Sequence, residues 1–206
     1  MPHAETLPQT APNLTAVLFG LSGCLVDFGA HSRLQGGQST DHAEATPGAL
    51  DTLHSLQRQQ IPCAWLDDLP ADLSQSLAKV LPDWIKPSQY PATINPWPAP
   101  NACWQALMAL NVERLDGCVL VSGEPLLLQS GLNAGLWTIG LASCGSLCGL
   151  SPTQWQALSQ QERDIKRGKA TMKLFGLGVH SVIDHLGDLD NCLADIRLRR
   201  LKGEKP

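Results

Sequence analysis

Charge is scarce in this chain. Asp, Glu, Lys and Arg make up 17% of its 206 residues, against roughly 25% in an average soluble protein. The surface is therefore unusually neutral, or part of it faces a partner. No window reaches the roughly 18–20 uninterrupted apolar residues of a membrane span. The opening MPHAETLPQTAPN has neither the basic nor the apolar region of a secretory leader. The expectation is a soluble, cytoplasmic protein with no membrane partner. An excess of positive charge is also missing: the net charge is −4 and the isoelectric point about 5.8, which argues against nucleic acid as a ligand. Lysine does not occur before Lys79.

Seven cysteines are present, an odd number, and they are scattered. Reduced thiols fit better than a disulfide frame. Cys144 and Cys148 form a single CxxxC with no second pair at zinc-ligand spacing, so they read as core or loop thiols. Residues 161–206 carry 10 Lys/Arg against 7 Asp/Glu. Arg197, Arg199, Arg200 and Lys202 read as the solvated C-terminal end of a helix, favoured there by the helix dipole.

Apolar runs and caps alternate along the chain. Leu14–Phe19 is a short apolar run ending at Gly20, which reads as a buried strand. Residues 28–46 are polar and aperiodic. Thr46 followed by Pro47 predicts the start of a helix over Pro47–Gln59. Ile61–Leu66 is the next strand, Asp72–Leu81 a short helix, Trp84–Ile85 a candidate strand and Ala102–Leu110 a helix. Gly117–Ser122 and Leu136–Ala142 are strands around a helix at Glu124–Asn133. Ser159 and Glu162 form a capping box that opens a helix to about Phe175. Val179–Ile183 and Leu186–Lys202 close the chain as strand and helix. This order implies an α/β fold, a mostly parallel sheet with helices on both faces. Ligands of such sheets sit beyond the carboxyl ends of the strands, here the loops after Gly20, Leu66, Asn95 and Ser122. Trp84, Trp97 and Trp104 lie around the proline-rich connection, where core packing and an interface role compete.

The loop Phe19-Gly-Leu-Ser-Gly-Cys-Leu-Val-Asp27 resembles the first motif of the haloacid dehalogenase superfamily. The segments GLNAGLWTIGLASCGSLCGLSPTQWQALSQQERD, VHSVIDHLGDL, VDFG and TPGALDTLHSLQ are similar to phosphonoacetaldehyde hydrolase, most strongly over Gly131–Pro206. The resemblance implies a Rossmann-like core over residues 13–206, a flexible residue 1–12 stretch, and residues 28–46 as a short loop in place of a cap domain.

The chemistry that this resemblance implies has four requirements. A carboxylate must attack phosphorus, and the matching position is Gly20. Magnesium must be held by carboxylates at the first and fourth motifs; the matching positions are Gly123 and Leu127, with Glu124 the one nearby acid and Ser22 in the first motif. Phosphate anchors should follow the second strand and open the third-motif helix, at Leu66 and Trp97. A cap lysine should form a Schiff base, and none is in range. These departures predict a catalytically inactive relative that serves as a binding or interaction scaffold, with no cofactor and with a protein partner or a second copy as partner. The crevice would be lined by Gly20, Ser22, Leu66, Trp97 and Gly123. The alternative is a residual hydrolase of a phosphonate or phosphoester, using magnesium and a substitute nucleophile, Cys24 or Asp27. Asp27 matches the acid that ends the motif and accepts structural hydrogen bonds. His31 and His42 are expected to be solvent-exposed.

Overall fold

The computed structural model describes residues 12–34, 43–88 and 95–206. Six parallel strands form one sheet in the order β3-β2-β1-β4-β5-β6. They are β1 Ala16–Gly20, β2 Cys63–Leu66, β3 Lys86–Pro87, β4 Cys118–Ser122, β5 Trp137–Leu141 and β6 Ser181–Ile183. The helices are α1 His31–Leu34, α2 Ala49–Arg58, α3 Ala71–Ala78, α4 Asn101–Ala109, α5 Pro125–Asn133, α6 Pro152–Ala157, α7 Gln160–Gly176 and α8 Leu189–Leu201. The central strands are buried along their whole length, which is why they read as unbroken apolar runs rather than alternating ones.

Alternation within β1 divides the core. Val17 and Phe19 pack with Leu53 and Leu56 of α2 and with Leu193 and Ile196 of α8. Ala16 and Leu18 point to the other face, against Cys103 and Ala106 of α4 and Leu127 of α5. A third cluster seats α7 through Ala170 and Leu174 on Leu128 and Ala142. No helix among the described residues is long and apolar enough to cross a membrane.

Several local expectations change. Gly48, at φ 80°, caps α2 in place of Thr46, because the Thr46 hydroxyl donates to the Cys24 carbonyl instead. The candidate strand at Trp84–Ile85 moves to Lys86–Pro87, and Ile85 is a core residue. A helix absent from the sequence reading, α6, opens with its own capping box between Ser151 and Gln154 and with Pro152 in its first turn. The basic C-terminus is only partly solvated. Arg200 is 7% exposed; it pairs with Asp116 at 2.6 Å and donates to the Asn13 carbonyl at 2.8 Å. Arg199 lies over the Trp137 ring at 4.7 Å. Among the three tryptophans, Trp97 is core, Trp84 half-buried, and Trp104 43% exposed.

Candidate functional site

The strand order reverses direction at β1, so the carboxyl ends of β1, β2 and β4 frame the crevice where such sheets bind ligands. Gly20 ends β1 and Ser122 ends β4. A Cβ placed on Gly20 would lie 2.7 Å from Ser122 Oγ, 3.3 Å from Ser122 Cβ and 3.4 Å from a Leu127 methyl. Ser122 Oγ is held there because it accepts from the Glu124 N–H at 2.9 Å. A side chain starting at residue 20 would therefore first meet the Ser122 hydroxyl.

The fourth-strand loop is closed in the same way. A Cβ on Gly123 would lie 2.3 Å from the Gly23 carbonyl oxygen and 2.4 Å from Gly145 Cα. Three loops meet through bare backbone, and a carboxylate at residue 123 has no volume to occupy. Leu127 is buried and apolar. Glu124 caps α5 by accepting from the Leu126 N–H, and its other oxygen faces Arg33 at 3.7 Å.

Ser22 and Asp27 hold the first loop in shape. Asp27 is fully buried at φ 58°, a left-handed conformation that Asp tolerates better than most residues. Its carboxylate accepts from Ser22 Oγ at 2.7 Å and from the His31 and Ser32 N–H groups at 3.0 Å. Asp27 thus positions α1. His31 is half-buried, not exposed, and His42 lies outside the described residues. Cys24 is fully buried and its thiol donates to the Val121 carbonyl at 3.4 Å. Burial, then the neighbouring Cys144, pushes the Cys24 thiol well above its ordinary range, the opposite of what a thiolate nucleophile needs.

One charged cluster at this crevice was missed in the sequence. Arg33 of α1 reaches over the ends of β2 and β4. It bonds Asp67 at 2.6 Å and also pairs with Asp68, and its guanidinium lies 5.4 Å from the Trp97 ring centroid. Burial pushes the Asp67 carboxyl up to about 6; the loss of hydration outweighs the attraction of Arg33, the second cause in size. Leu66, just before it, is buried, with its carbonyl accepting from the Leu21 N–H at 3.0 Å. The Asp67-Asp68 pair directly after an apolar strand was the one signal available for this cluster.

These residues do not fit a magnesium ion. Gly20 offers no oxygen from a side chain, Asp27 is committed to three donors, and Glu124 is the remaining acid at the crevice's fourth strand. Among the described residues no group of three or more His, Cys, Asp or Glu is arranged to hold a metal. All seven cysteines are free, and Cys144 and Cys148 are both buried.

No family model matches the chain. It is 30% identical over 189 residues to phosphonoacetaldehyde hydrolase of Salmonella paratyphi A, covering 87% of this chain and 68% of that protein. The chain belongs to the phosphonoacetaldehyde hydrolase family of the haloacid dehalogenase superfamily. The Salmonella gallinarum phosphonoacetaldehyde hydrolase is 29% identical with the same coverage. Among solved structures, one crystal structure is 62% identical, with a TM-score of 0.90 over 94% of this chain and the whole of that one. The phosphonoacetaldehyde hydrolase-like protein from Oleispira antarctica superposes with a TM-score of 0.85 over the full length of both chains at 20% identity. A haloacid dehalogenase family hydrolase from Deinococcus radiodurans, with bound phosphate and sodium, gives 0.62 at 19% identity over 92% of this chain.

The whole connection between β1 and α2 is residues 21–48, and its described part holds the single turn of α1 and the bridge of Val26 to Ala45.

Proposed function

We propose that this member of the phosphonoacetaldehyde hydrolase family is not a hydrolase, and acts in the cytoplasm as a binding or interaction scaffold without a metal cofactor. The observation that carries the reading is Gly20 itself: the nucleophile's position lacks a side chain, and a Cβ there would have to displace the Ser122 hydroxyl from its bond to the Glu124 N–H. Covalent phosphoryl transfer needs a carboxylate at that point to form the intermediate. The two substitutes are occupied otherwise, since Asp27 satisfies three donors and the Cys24 thiol is buried.

The electrostatics of the crevice support the same reading. Asp67, Asp68 and Glu124 surround a single guanidinium, so the site repels a phosphonate or phosphate dianion instead of attracting it. Gly20, Ser22, Leu66, Trp97 and Gly123 are buried beneath this charged cluster, so a protein partner or a second copy would meet the Arg33, Asp68 and Glu124 side chains and not these five. The test is phosphate release from phosphonoacetaldehyde and from generic phosphoesters with magnesium present. The native chain is compared with Asp27→Asn and Cys24→Ser. The expected result is no release above the background of both variants. Turnover by the native chain that is lost in one variant would overturn the proposal and identify the substitute nucleophile.

A further inference from the structure

The loop after β1 borders a second hollow, formed with α6 and distinct from the crevice at Gly20. It is a cleft of about 530 Å³ whose lining includes Phe28, Glu44, Pro47, Thr153, Trp155 and Gln156, within the size range of small-molecule sites. Main-chain contacts fix the residues that matter. The Glu44 carbonyl accepts from the Asp27 N–H at 3.1 Å, and Ala45 bridges to Val26. On the α6 side, the Ser151–Gln154 capping box sets the first turn, and the Trp155 N–H donates to the Ser151 carbonyl at 2.8 Å. The lead-in to α6 is pressed against Gly29, where a Cβ would come within 2.2 Å of the Leu150 carbonyl oxygen. Glu44 and Trp155 therefore reach the same cleft before any ligand arrives, which spares part of the ordering cost of binding.

The Phe28 and Trp155 rings are in contact, with centroids 6.2 Å apart and planes inclined at 53°. Nothing enters between them; together they present one aromatic surface to the cleft.

Charge decides what that surface faces. Glu44 is exposed, and its carboxylate makes no hydrogen bond or ion pair among the described residues. No Lys or Arg is among the described residues that line the cleft. Arg163 and Arg167 line an adjoining hollow, and both are engaged. Arg163 donates through Nε and Nη2 to the Leu158 carbonyl at 3.1 and 3.0 Å, and Arg167 holds Asp184 at 2.8 Å and Asp164 at 3.0 Å. Over both hollows the carboxylates of Glu44, Asp164 and Asp184 outnumber the guanidinium groups by one.

An aromatic face attracts a cation through its quadrupole, and a carboxylate attracts it by charge. The two meet here in one cleft with no resident cation. A lone carboxylate is too few oxygens for a metal ion, whereas an ammonium group on carbon uses the rings as well. We propose that this cleft binds a small organic cation of the alkylammonium class, its charged head against the Phe28–Trp155 surface and Glu44 as its counter-ion. The site lies outside the crevice, so the proposal holds whether or not the chain hydrolyses a substrate.

The probe is choline chloride, titrated at low ionic strength into the isotope-labelled full chain and followed by the amide and indole N–H resonances. The expected result is a saturable shift of the Trp155 indole signal, identified by its absence in Trp155→Ala, with one site per chain and a Kd of about 1 mM. The neutral alcohol in which carbon replaces the choline nitrogen should bind at least about fivefold more weakly. Trp155→Ala should weaken choline about tenfold, and Glu44→Gln about threefold to fivefold. Trp155→Phe, which keeps a ring, should stay within about threefold of the native chain and supplies the reading if Trp155→Ala does not fold. Met172→Ala, on the exposed face of α7, should change nothing. The proposal is overturned by no saturable shift up to roughly 20 mM, by the neutral alcohol binding as tightly as choline, or by native affinity in both the Trp155→Ala and Glu44→Gln chains. None of these results bears on phosphate release at the crevice, so the two readings fail separately.

Discussion

Replacing Gly20 with alanine tests the closure of the crevice with one methyl group. The backbone itself permits the change, since Gly20 is not among the residues at positive φ, and on chain entropy alone alanine would stabilise by about 0.4–1 kcal/mol. Against that stands the contact of 2.7 Å with Ser122 Oγ, inside van der Waals range. Relief requires Ser122 to rotate, which breaks its bond to the Glu124 N–H at 2.9 Å and leaves that donor to the cost of about 1 kcal/mol or more. Overpacking of a tight core adds about 1–3 kcal/mol. The net expectation is a loss of about 1–3 kcal/mol, or a fall in Tm of roughly 3–10 °C for a chain of this size. Urea unfolding followed by circular dichroism measures it. The decisive comparison is the double variant Gly20→Ala/Ser122→Ala, where removing the hydroxyl should recover at least about 1 kcal/mol of the sum of the single effects. A Gly20→Ala protein as stable as the native chain, or a strictly additive double variant, would refute the steric argument and with it the central support for a non-hydrolytic site.

Three further outcomes follow from the same structure. The folded Asp67 carboxyl titrates at about 6 against about 3.9 when unfolded, so the folded state binds its proton more tightly. Stability should therefore rise as pH falls from about 7 to about 4, by up to about 3 kcal/mol, and become flat below; Asp67→Asn should abolish that slope in urea titrations, and an unchanged slope would assign it elsewhere. Arg200→Met removes the donors to Asp116 and to the Asn13 carbonyl, and should cost about 2–4 kcal/mol by thermal unfolding; a loss under about 0.5 kcal/mol would mean that Arg200 is replaceable by packing alone. Cys24, fully buried and with its thiol held far from ionisation, should resist iodoacetamide in the native protein at pH 8 while half-buried Cys192 reacts; mass spectrometry showing Cys24 labelled first would contradict the placement.

The strands were legible because burial on both faces writes itself as a run such as CVLVS, and the capping box at Ser159 announced α7. The same reading could have found α6, since Ser151-Pro152-Thr153-Gln154 carries both the cap and the proline. It was passed over because a helix of six residues shows too little periodicity to register. Thr46 misled for a different reason: a good N-cap residue was drawn into a tertiary hydrogen bond, and a left-handed glycine took over the helix start. The missing side chain at Gly20 could be read from one position, but the neighbour it faces could not. Ser122 is more than a hundred residues away in the chain. The Arg33 cluster was hidden likewise, for its carboxylates come from the ends of two other strands.

The Gly23, Gly123 and Gly145 backbones pack against one another, which ties the loops after β1, β4 and β5 into one unit. In this chain an acid introduced at 20 would first meet the Ser122 hydroxyl, and one introduced at 123 would meet the main chains of Gly23 and Gly145. At 123 the obstacle is backbone, which no side-chain rotation can clear, so that loop junction tolerates only glycine whatever chemistry the crevice performs.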